Sequence, residues 1–491
     1  MNPAEWSIRN STITWVVTFI LAAVGMVAFD NLSRLEDPEF TIKDAVIATP
    51  YPGASAEEVE REVSDLIERA SQELGQLFYV ESHSYRDMSI VKVKIKDEYN
   101  KTKLPQVWDE LRRKIGDAQR NLPPGAGPSI VNDDFGDVFG VYIALSGDGY
   151  SLKELYETAK FLRRELLTVN DVKKIAFYGV PKEVIYVELQ RQRMAALGIS
   201  PTDITRALGG KNIAVSAGYF GVGNQRLAIN PTGEYKSEEQ FKDLLISPSG
   251  KSGTQIALGD IADIYRDYKD PVSTKLRYDG QPAIGIAIST AEGGNVVTMG
   301  DGLEQKVRQI SNQIPLGMTF NIISLQSESV TLAINNFLVS LAEAVAIVIV
   351  VLLLFMGLRS GLIIGAVLIV TITGTFIFMG MFDINLERIS LGALIIALGM
   401  LVDNAIVVVE GAMVGVTRGV SKRQACYAIV NQTKWPLLAS TVIAILAFTP
   451  FGLSDSDSGQ IMKAMFWVLT YSLFLSWILA ISLTPFLVDI L

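Results

Sequence analysis

Carboxylates inside long apolar stretches are the residues whose position in this chain points most directly to chemistry. Asp403 follows 14 uncharged residues and precedes six more in the apolar segment 389–409. A charged group is costly in hydrocarbon, so an ionisable residue there is a functional hypothesis by default. Low-dielectric surroundings favour the neutral form of a carboxyl group unless a cation lies nearby. Asp403 is therefore predicted to bind and release protons, as a proton-coupled transporter requires. A neutral, hydrogen-bonded structural aspartate is the alternative.

Helical spacing places small residues on the same face as Asp403. Spacings of three, four and seven return to one side of a helix, and the residues that share the Asp403 side are Gly392, Gly399, Ile406 and Glu410. Glycines allow a second helix to approach closely, so this face is predicted to point into a helical bundle. Asn404 projects about 100° away, where it would add hydrogen bonding without holding a proton.

The other acidic residues have structural interpretations. Glu343 lies near the outer third of the apolar segment 333–358 and is interpreted as a structural or interfacial carboxylate. Glu410 is interpreted as a solvated charge at the cytoplasmic end of its helix. The acidic clusters at 132–137 and 455–457 lack the spacing of an EF-hand loop and are interpreted as solvated turns.

Composition excludes several classes of function. The 491 residues are 49% hydrophobic with a net charge of −9 and no basic tract, so nucleic acid is not expected as a partner. A single cysteine and a single histidine exclude an intramolecular disulfide and paired-histidine metal sites. No Walker phosphate loop occurs. We therefore predict neither an enzyme nor a bound cofactor or metal.

Six segments are apolar enough to cross a membrane, which takes roughly 20 residues for each helix. They are residues 10–29, 333–358, 360–382, 389–409, 435–454 and 464–488. For the first, a cleaved signal peptide is the alternative. Arg9, Arg359 and the basic residues within 418–434 fall on one side if the helices alternate, and the positive-inside rule makes that side cytoplasmic. The predicted layout is thus a cytoplasmic N-terminus and first helix in residues 1–29, one extracytoplasmic insert in 30–332, and five more helices in 333–491.

The large insert alternates strand-like and helix-like patterns. Repeated units of this kind predict an α+β region of ferredoxin-like, split β-α-β sandwiches beside the α-helical membrane bundle. Residues 190–268 are predicted to form an inserted subdomain with a projecting glycine-rich loop near 209–224, for which a plain flexible loop is the alternative. The predicted strands are 44–49, 89–96, 138–145, 172–178, 183–189, 283–289 and 319–323, and the predicted helices follow Ser55 and span 104–119, 151–167 and 296–314.

These features together resemble the N-terminal half of a resistance-nodulation-division (RND) efflux transporter of the hydrophobe and amphiphile exporter branch. The resemblance covers essentially the whole chain and rests on the order of helix, insert and five helices, on YPGA at residues 51–54, and on LVDNAIVVVE at residues 401–410. In the drug-exporting branch this helix usually carries two adjacent aspartates, and both take part in the proton relay. Because the second position is Asn404 here, the assignment carries over to Asp403 alone.

The resemblance also implies a domain plan. It implies porter subdomains near 38–133 and 134–330, a docking insertion near 181–270, and a homotrimer in which the glycine-rich loop reaches a neighbouring protomer. It places Phe177 and Tyr178 where drug exporters have pocket aromatics, and Val138 at a position that is often aromatic in them. Strand-end core packing is the alternative for the two aromatics. Family members are about twice as long and carry the Lys, Thr and Arg of the relay in a second half, so this half alone is expected to expose an unpaired bundle face.

The function that follows is proton-motive-force-driven efflux of hydrophobic and amphiphilic compounds. The protein would be the multi-pass bacterial inner-membrane component of a tripartite pump, with a periplasmic adaptor and an outer-membrane channel as partners. Two alternatives stay open: a non-transporting membrane scaffold or sensor with ligand-binding exterior domains, and an RND metal-ion exporter. A secretion accessory of the same superfamily is disfavoured by the size of the insert.

Overall fold

The fold consists of a helical bundle and an α+β region inserted after its first long helix. The computed structural model describes residues 2–38, 40–134, 138–210, 219–222, 225–228, 235, 237–247, 255–272 and 274–490. The α-helices are α1 Pro3–Arg9, α2 Ser11–Asn31, α3 Ala56–Val59, α4 Asp65–Gln72, α5 Leu104–Ala118, α6 Leu152–Leu166, α7 Arg191–Leu197, α8 Pro201–Gly210, α9 Glu238–Lys242, α10 Val296–Ile310, α11 Gln326–Met356, α12 Leu358–Met381, α13 Arg388–Thr417, α14 Lys422–Ala447, α15 Thr449–Leu453 and α16 Asp457–Ile490.

The strands lie between residues 44 and 325. They are β1 Asp44–Pro50, β2 Leu77–Tyr85, β3 Met88–Ile95, β4 Ile130–Asn132, β5 Val141–Gly147, β6 Val172–Tyr178, β7 Glu183–Leu189, β8 Tyr219–Val222, β9 Gln225–Ala228, β10 Leu245–Ile246, β11 Ile256–Ala257, β12 Ala262–Tyr268, β13 Arg277–Tyr278, β14 Gln281–Thr290 and β15 Met318–Leu325.

Five helices in the described part of the chain are long and apolar enough to cross a membrane, namely α2, α11, α12, α13 and α16. Helix α14 is also long, but it is not among them because its first half, residues 422–434, is polar. The predicted bounds 435–454 are wrong, since α14 ends at Ala447 and α15 follows as a separate short helix. The predicted starts of the second and last spans are late, because α11 begins at Gln326 and α16 at Asp457.

Close backbone contact joins the first long helix to the bundle. A Cβ atom added at Gly25 of α2 would lie 2.2 Å from the Thr373 carbonyl oxygen on α12, so the two helices touch through this glycine. Thr373 itself donates its hydroxyl to the Ile369 carbonyl of its own helix, which removes an unpaired donor from the contact. The first long helix thus packs directly against the bundle.

The first sandwich contains β1 to β4 in the antiparallel order β2-β3-β1-β4. Helices α4 and α5 cover one face, where Ile67 and Leu111 pack against Ile47 and Val93. This strand order is that of a split β-α-β unit. The sequence pattern missed β2 and β4, because β2 is a half-exposed edge strand and β4 has only three residues.

The second sandwich has the same order, β15-β5-β14-β6, with α6 and α10 over its core. Its first strand begins at Val141, so the predicted start at 138 is wrong by three residues. Just before it, the Gly140 carbonyl accepts a bond from the Gln326 backbone amide, next to the Val141–Leu325 pair of β5 and β15. Strand β7 is not part of this sheet and pairs with β12 in a separate two-stranded sheet.

Residues 190–268 form a folded unit wherever they are described. Met194 and Ile204 from α7 and α8 pack against Leu244, Ile246 and Leu258 in a small separate core. The predicted glycine-rich loop near 209–224 lies largely outside the described residues. The described part therefore favours an inserted subdomain over a plain loop.

The contact at Gly25 yields a test of the bundle. Because Gly25→Ala puts a Cβ against backbone that cannot rotate away, we expect it to destabilise the detergent-solubilised protein by about 1–3 kcal/mol, as overpacking does. Thermal unfolding measures the loss. Gly380→Ala is the matched control, since its Cβ meets only Leu32 Cδ2 at 3.8 Å. Equal midpoints for the Gly25 variant and the wild type would show that the helices separate freely.

Candidate functional site

Asp403 lies on a face of α13 that the described residues leave open. Its side chain is exposed, and it has no ion pair or hydrogen bond with any described residue. A Cβ added at Gly392 or Gly399 on the same face would meet no atom within 4 Å. Among the described residues, this face therefore does not point into a bundle as expected, whereas the expected unpaired face is present.

The side of α13 that packs into the bundle holds Asn404. Asn404 is 4% exposed, and its amide nitrogen lies 3.4 Å from Thr441 Oγ1 and 3.5 Å from Ser476 Oγ. Ser476 in turn donates to the Leu401 carbonyl at 2.7 Å. Asn404 thus belongs to a hydrogen-bonded contact among α13, α14 and α16, about 100° around the helix from Asp403.

The two auxiliary carboxylates also lie on open surfaces. Glu343 is exposed on α11, whose outer side carries Ile347 and Val350. Glu410 shares the open face of Asp403, but α13 continues to Thr417, so its predicted position at the helix end is wrong. Neither carboxylate has a hydrogen bond or ion pair with the residues that the structure describes.

An aromatic cluster forms a second candidate site on the face of the second sandwich opposite its helices. The Tyr178 ring meets Phe139 at 6.3 Å and Tyr142 at 6.1 Å, both edge to face. Gly285 on the intervening strand β14 makes this possible, because a Cβ there would lie 2.4 Å from the Tyr142 hydroxyl. Burial, and then the neighbouring Tyr178, raise the pKa of Tyr142, so its hydroxyl is neutral at physiological pH.

The predicted pocket residues divide between two faces. Phe177 packs against Tyr156 in the core, with the Arg163 guanidinium 5.9 Å from its ring, as the strand-end alternative describes. Tyr178 points the other way, since neighbours on a strand alternate. Val138 is 68% exposed just before β5, next to Phe139. Sequence reasoning missed Phe139 and Tyr142, although the alternation of β5 could have placed Tyr142 outward.

Three aspartates of the predicted acidic clusters form ion pairs. Asp133 pairs with Arg112, and Asp134 with Lys174 at 2.7 Å. Asp457 lies 3.6 Å from Lys43 Nζ, whose side chain is fully buried. The described residues contain no group of three or more His, Cys, Asp or Glu that could hold a metal ion. Asp134 and Asp457 stay 63% and 41% exposed, so the solvated-turn interpretation holds for these two residues, with an ion pair in addition.

Comparison with known proteins shows the family of the chain. The model of the AcrB/AcrD/AcrF family matches residues 3–491. The chain is 26% identical over 483 residues to the multidrug resistance protein MdtC of Serratia proteamaculans, covering 97% of this chain and 46% of that protein. It is 24% identical over 496 residues to MdtF of Escherichia coli K12, covering 98% and 47%. An uncharacterized transporter of Haemophilus influenzae is 24% identical over 484 residues, covering 97% and 46%. The chain spans about half the length of the relatives it matches.

The buried position of Asn404 predicts a structural role. Because Asn404→Ala removes a buried interhelical hydrogen-bonding group, we expect a loss of about 1 kcal/mol in stability, seen as a lower thermal midpoint in detergent. Val407→Ala is the matched control, since Val407 is 40% exposed on the same helix. An Asn404 variant as stable as the wild type would contradict the assignment.

Proposed function

Because the chain belongs to the AcrB/AcrD/AcrF family of RND transporters, we propose that it works in proton-motive-force-driven efflux of hydrophobic and amphiphilic compounds. The observation that carries the proposal is Asp403, a carboxylate in the middle of an apolar helix, on a face that the described residues leave open. A carboxylate at that depth requires either a proton or a cationic partner. Alternation between those two states is the elementary step of a proton-driven cycle.

The open face of α13 indicates where the partner would bind. Gly392 and Gly399 leave room for the backbone of another helix, which could bring a lysine or arginine to Asp403. The relatives are about twice as long as this chain, and we propose that a second, homologous half supplies this helix. Proton binding would neutralise Asp403 and release the cation, and α13 would then shift against its neighbour.

The proposed topology follows from charge and helix length. Six spans are formed if α14 crosses the membrane together with the five more apolar helices. Arg9, Arg359 and the basic residues within 418–434 support a cytoplasmic N-terminus by the positive-inside rule. The two sandwiches would then be periplasmic porter subdomains near 38–133 and 134–330, with residues 181–270 as the docking insertion. Homotrimer formation, a periplasmic adaptor and an outer-membrane channel belong to the same proposal.

The aromatic cluster of Phe139, Tyr142 and Tyr178 is the proposed contact surface for substrate. Small side chains lie beside it on the same sheet face, among them Ala144, Ala176 and Ala287. The Tyr178 ring is 47% exposed, and Phe139 and Tyr142 are half-buried. Rings with polar hydroxyl ends bind apolar molecules and can also orient a polar substituent. Such a surface suits hydrophobic and amphiphilic compounds that differ in detailed shape.

The proton-site assignment predicts the effect of one substitution. Asp403→Asn keeps the size and polarity of the side chain but cannot exchange a proton, so we expect export of ethidium to be abolished while the protein stays in the membrane at normal abundance. Dye efflux from intact cells measures this. Glu343→Gln, which removes a carboxylate from a different membrane helix, should leave export intact. Export by the Asp403 variant at the wild-type rate would refute the assignment.

The aromatic surface predicts a change in apparent affinity. Because Tyr178→Ala removes the ring that joins Phe139 to Tyr142, we expect the dye concentration for half-maximal export to rise by about tenfold, equivalent to roughly 1.4 kcal/mol. Gly285→Ala should act in the same direction by displacing Tyr142. Phe177→Leu, a core substitution on the adjacent residue, serves as the control and should leave the concentration dependence unchanged. A rise for Phe177→Leu alone would place the contact surface on the other face.

A further inference from the structure

The extended segment between α2 and the first sandwich connects three parts of the molecule. The Ser33 carbonyl accepts from the Leu386 amide at 2.8 Å, and the Leu35 amide donates back to the Leu386 carbonyl at 3.0 Å. The Arg34 carbonyl accepts from the Val296 amide at 3.1 Å. The segment is therefore bonded both to the turn that precedes α13 and to the start of α10 in the second sandwich.

Glu36 follows in the same segment, and its two carboxylate oxygens bind the first residues of two bundle helices, α13 and α11. Helix α11 directly continues strand β15 of the second sandwich. Oε1 pairs with Arg388 Nη2, on the first residue of α13, at 2.5 Å. Oε2 accepts from Gln326 Nε2, at the junction of β15 and α11, at 2.9 Å. Hydrogen bonds to ionised groups are the stronger kind, so one side chain joins the two elements in this state.

The Gln326 end of this junction leads to the aromatic cluster. The Gln326 backbone N–H donates to the Gly140 carbonyl at 2.8 Å. Because Gly140 has no side chain, the side-chain amide of Gln326 can also lie against it. Gly140 follows Phe139 directly and precedes β5, which carries Tyr142. A displacement of Gln326 would therefore move Phe139 and Tyr142 first.

The Arg388 end leads to the proton site. Helix α13 runs without a proline from Arg388 through Asp403, a distance of about 22 Å at 1.5 Å per residue. A continuous helix of this length moves largely as a rigid element. A shift at Asp403 would therefore reach Arg388, and with it Glu36.

We propose that Glu36 is a positioning residue that couples the protonation state of Asp403 to the aromatic cluster. The inference rests on the proposed function, since it assigns a link between the proton site and the substrate surface described there. Coupling requires an interaction that differs between two states. The Glu36 carboxylate suits this role, because it is 22% exposed and its partner Arg388 is 53% exposed, so the ion pair can break and re-form at the water interface.

The experiment measures coupling directly in the native gene product. Val138→Cys provides an exposed thiol beside Phe139, whereas Cys426 is buried. The rate at which a water-soluble maleimide labels this thiol is measured with Asp403 and with Asp403→Asn, which mimics the protonated state. Both rates are then measured again with Glu36→Gln. The four rates form a double-mutant cycle.

With Glu36 present, we expect Asp403→Asn to change the labelling rate by about fivefold or more. With Glu36→Gln, the same substitution should change the rate by less than about twofold. Asp37→Asn is the matched control: it removes an equal charge one residue away, but Asp37 is 71% exposed and reaches Arg388 only at 4.0 Å. The Asp403 effect should survive in that control.

A charge exchange tests whether a lost Asp403 effect comes from misfolding. Glu36→Arg and Arg388→Glu should each remove the Asp403 effect, and the double variant should restore it, because Gln326 can turn its amide oxygen toward an arginine. Restoration distinguishes coupling from a general loss of structure.

Either of two results would overturn the proposal: an Asp403 effect that persists in Glu36→Gln, or no Asp403 effect in any background. Ethidium export by the wild type and by Asp403→Asn is measured in parallel. Failure of export with an intact labelling cycle would reject the proposed function alone.

Discussion

The cost of a carboxylate in hydrocarbon is the constraint on which the rest of this structure depends. Asp403 can occupy the middle of α13 only if it is protonated or paired. The rotation of α13 about its axis decides which surface Asp403 faces, and so where its proton or partner must come from. Leu394, Leu398 and Ala405 pack inward against the other helices, and the hydrogen bonds of Asn404 to Thr441 and Ser476 fix the rotation about the helix axis. Because the Asn404 side of α13 is packed in the bundle, Asp403 faces the open side and whatever covers it.

The same separation of faces organises the second sandwich. Alternation along β6 places Phe177 in the core and Tyr178 on the opposite surface. Strand β14 lies between the two strands that carry Tyr142 and Tyr178, and a side chain at Gly285 would keep those rings apart. One glycine thus allows a core strand to support an exposed aromatic cluster. The stability of the core and the chemistry of the surface are set by different residues of the same strands.

The amount that could be predicted from the sequence differs between these features. Five apolar helices and the strands around Val93, Ile143 and Ile286 follow from hydropathy and alternation, because burial of one side leaves a periodic trace. Edge strand β2 leaves little trace, since it is half exposed. The direction of the Asp403 face could be derived only relative to its own helix. Which neighbour covers it depends on tertiary packing, and so do the ion pairs of Asp133, Asp134 and Asp457.

Between α2 and β1, two side chains seven positions apart contact the membrane helices in different ways. They are Glu36 and Lys43. Lys43 is fully buried and binds Asp97 at 3.2 Å and the Asp455 carbonyl at 2.7 Å, which ties the first sandwich to the start of α16. A buried cation without its partners is strongly unfavourable, so this junction is expected to stay closed. Glu36 lies at the water interface and contacts α13 instead. Helices α13 and α16 are packed together in the bundle core. A displacement of α13 along α16 would therefore move the Glu36 contact relative to the Lys43 contact, which stays in place. Relative motion of the two sandwiches would then follow from the contrast in burial between Lys43 and Glu36.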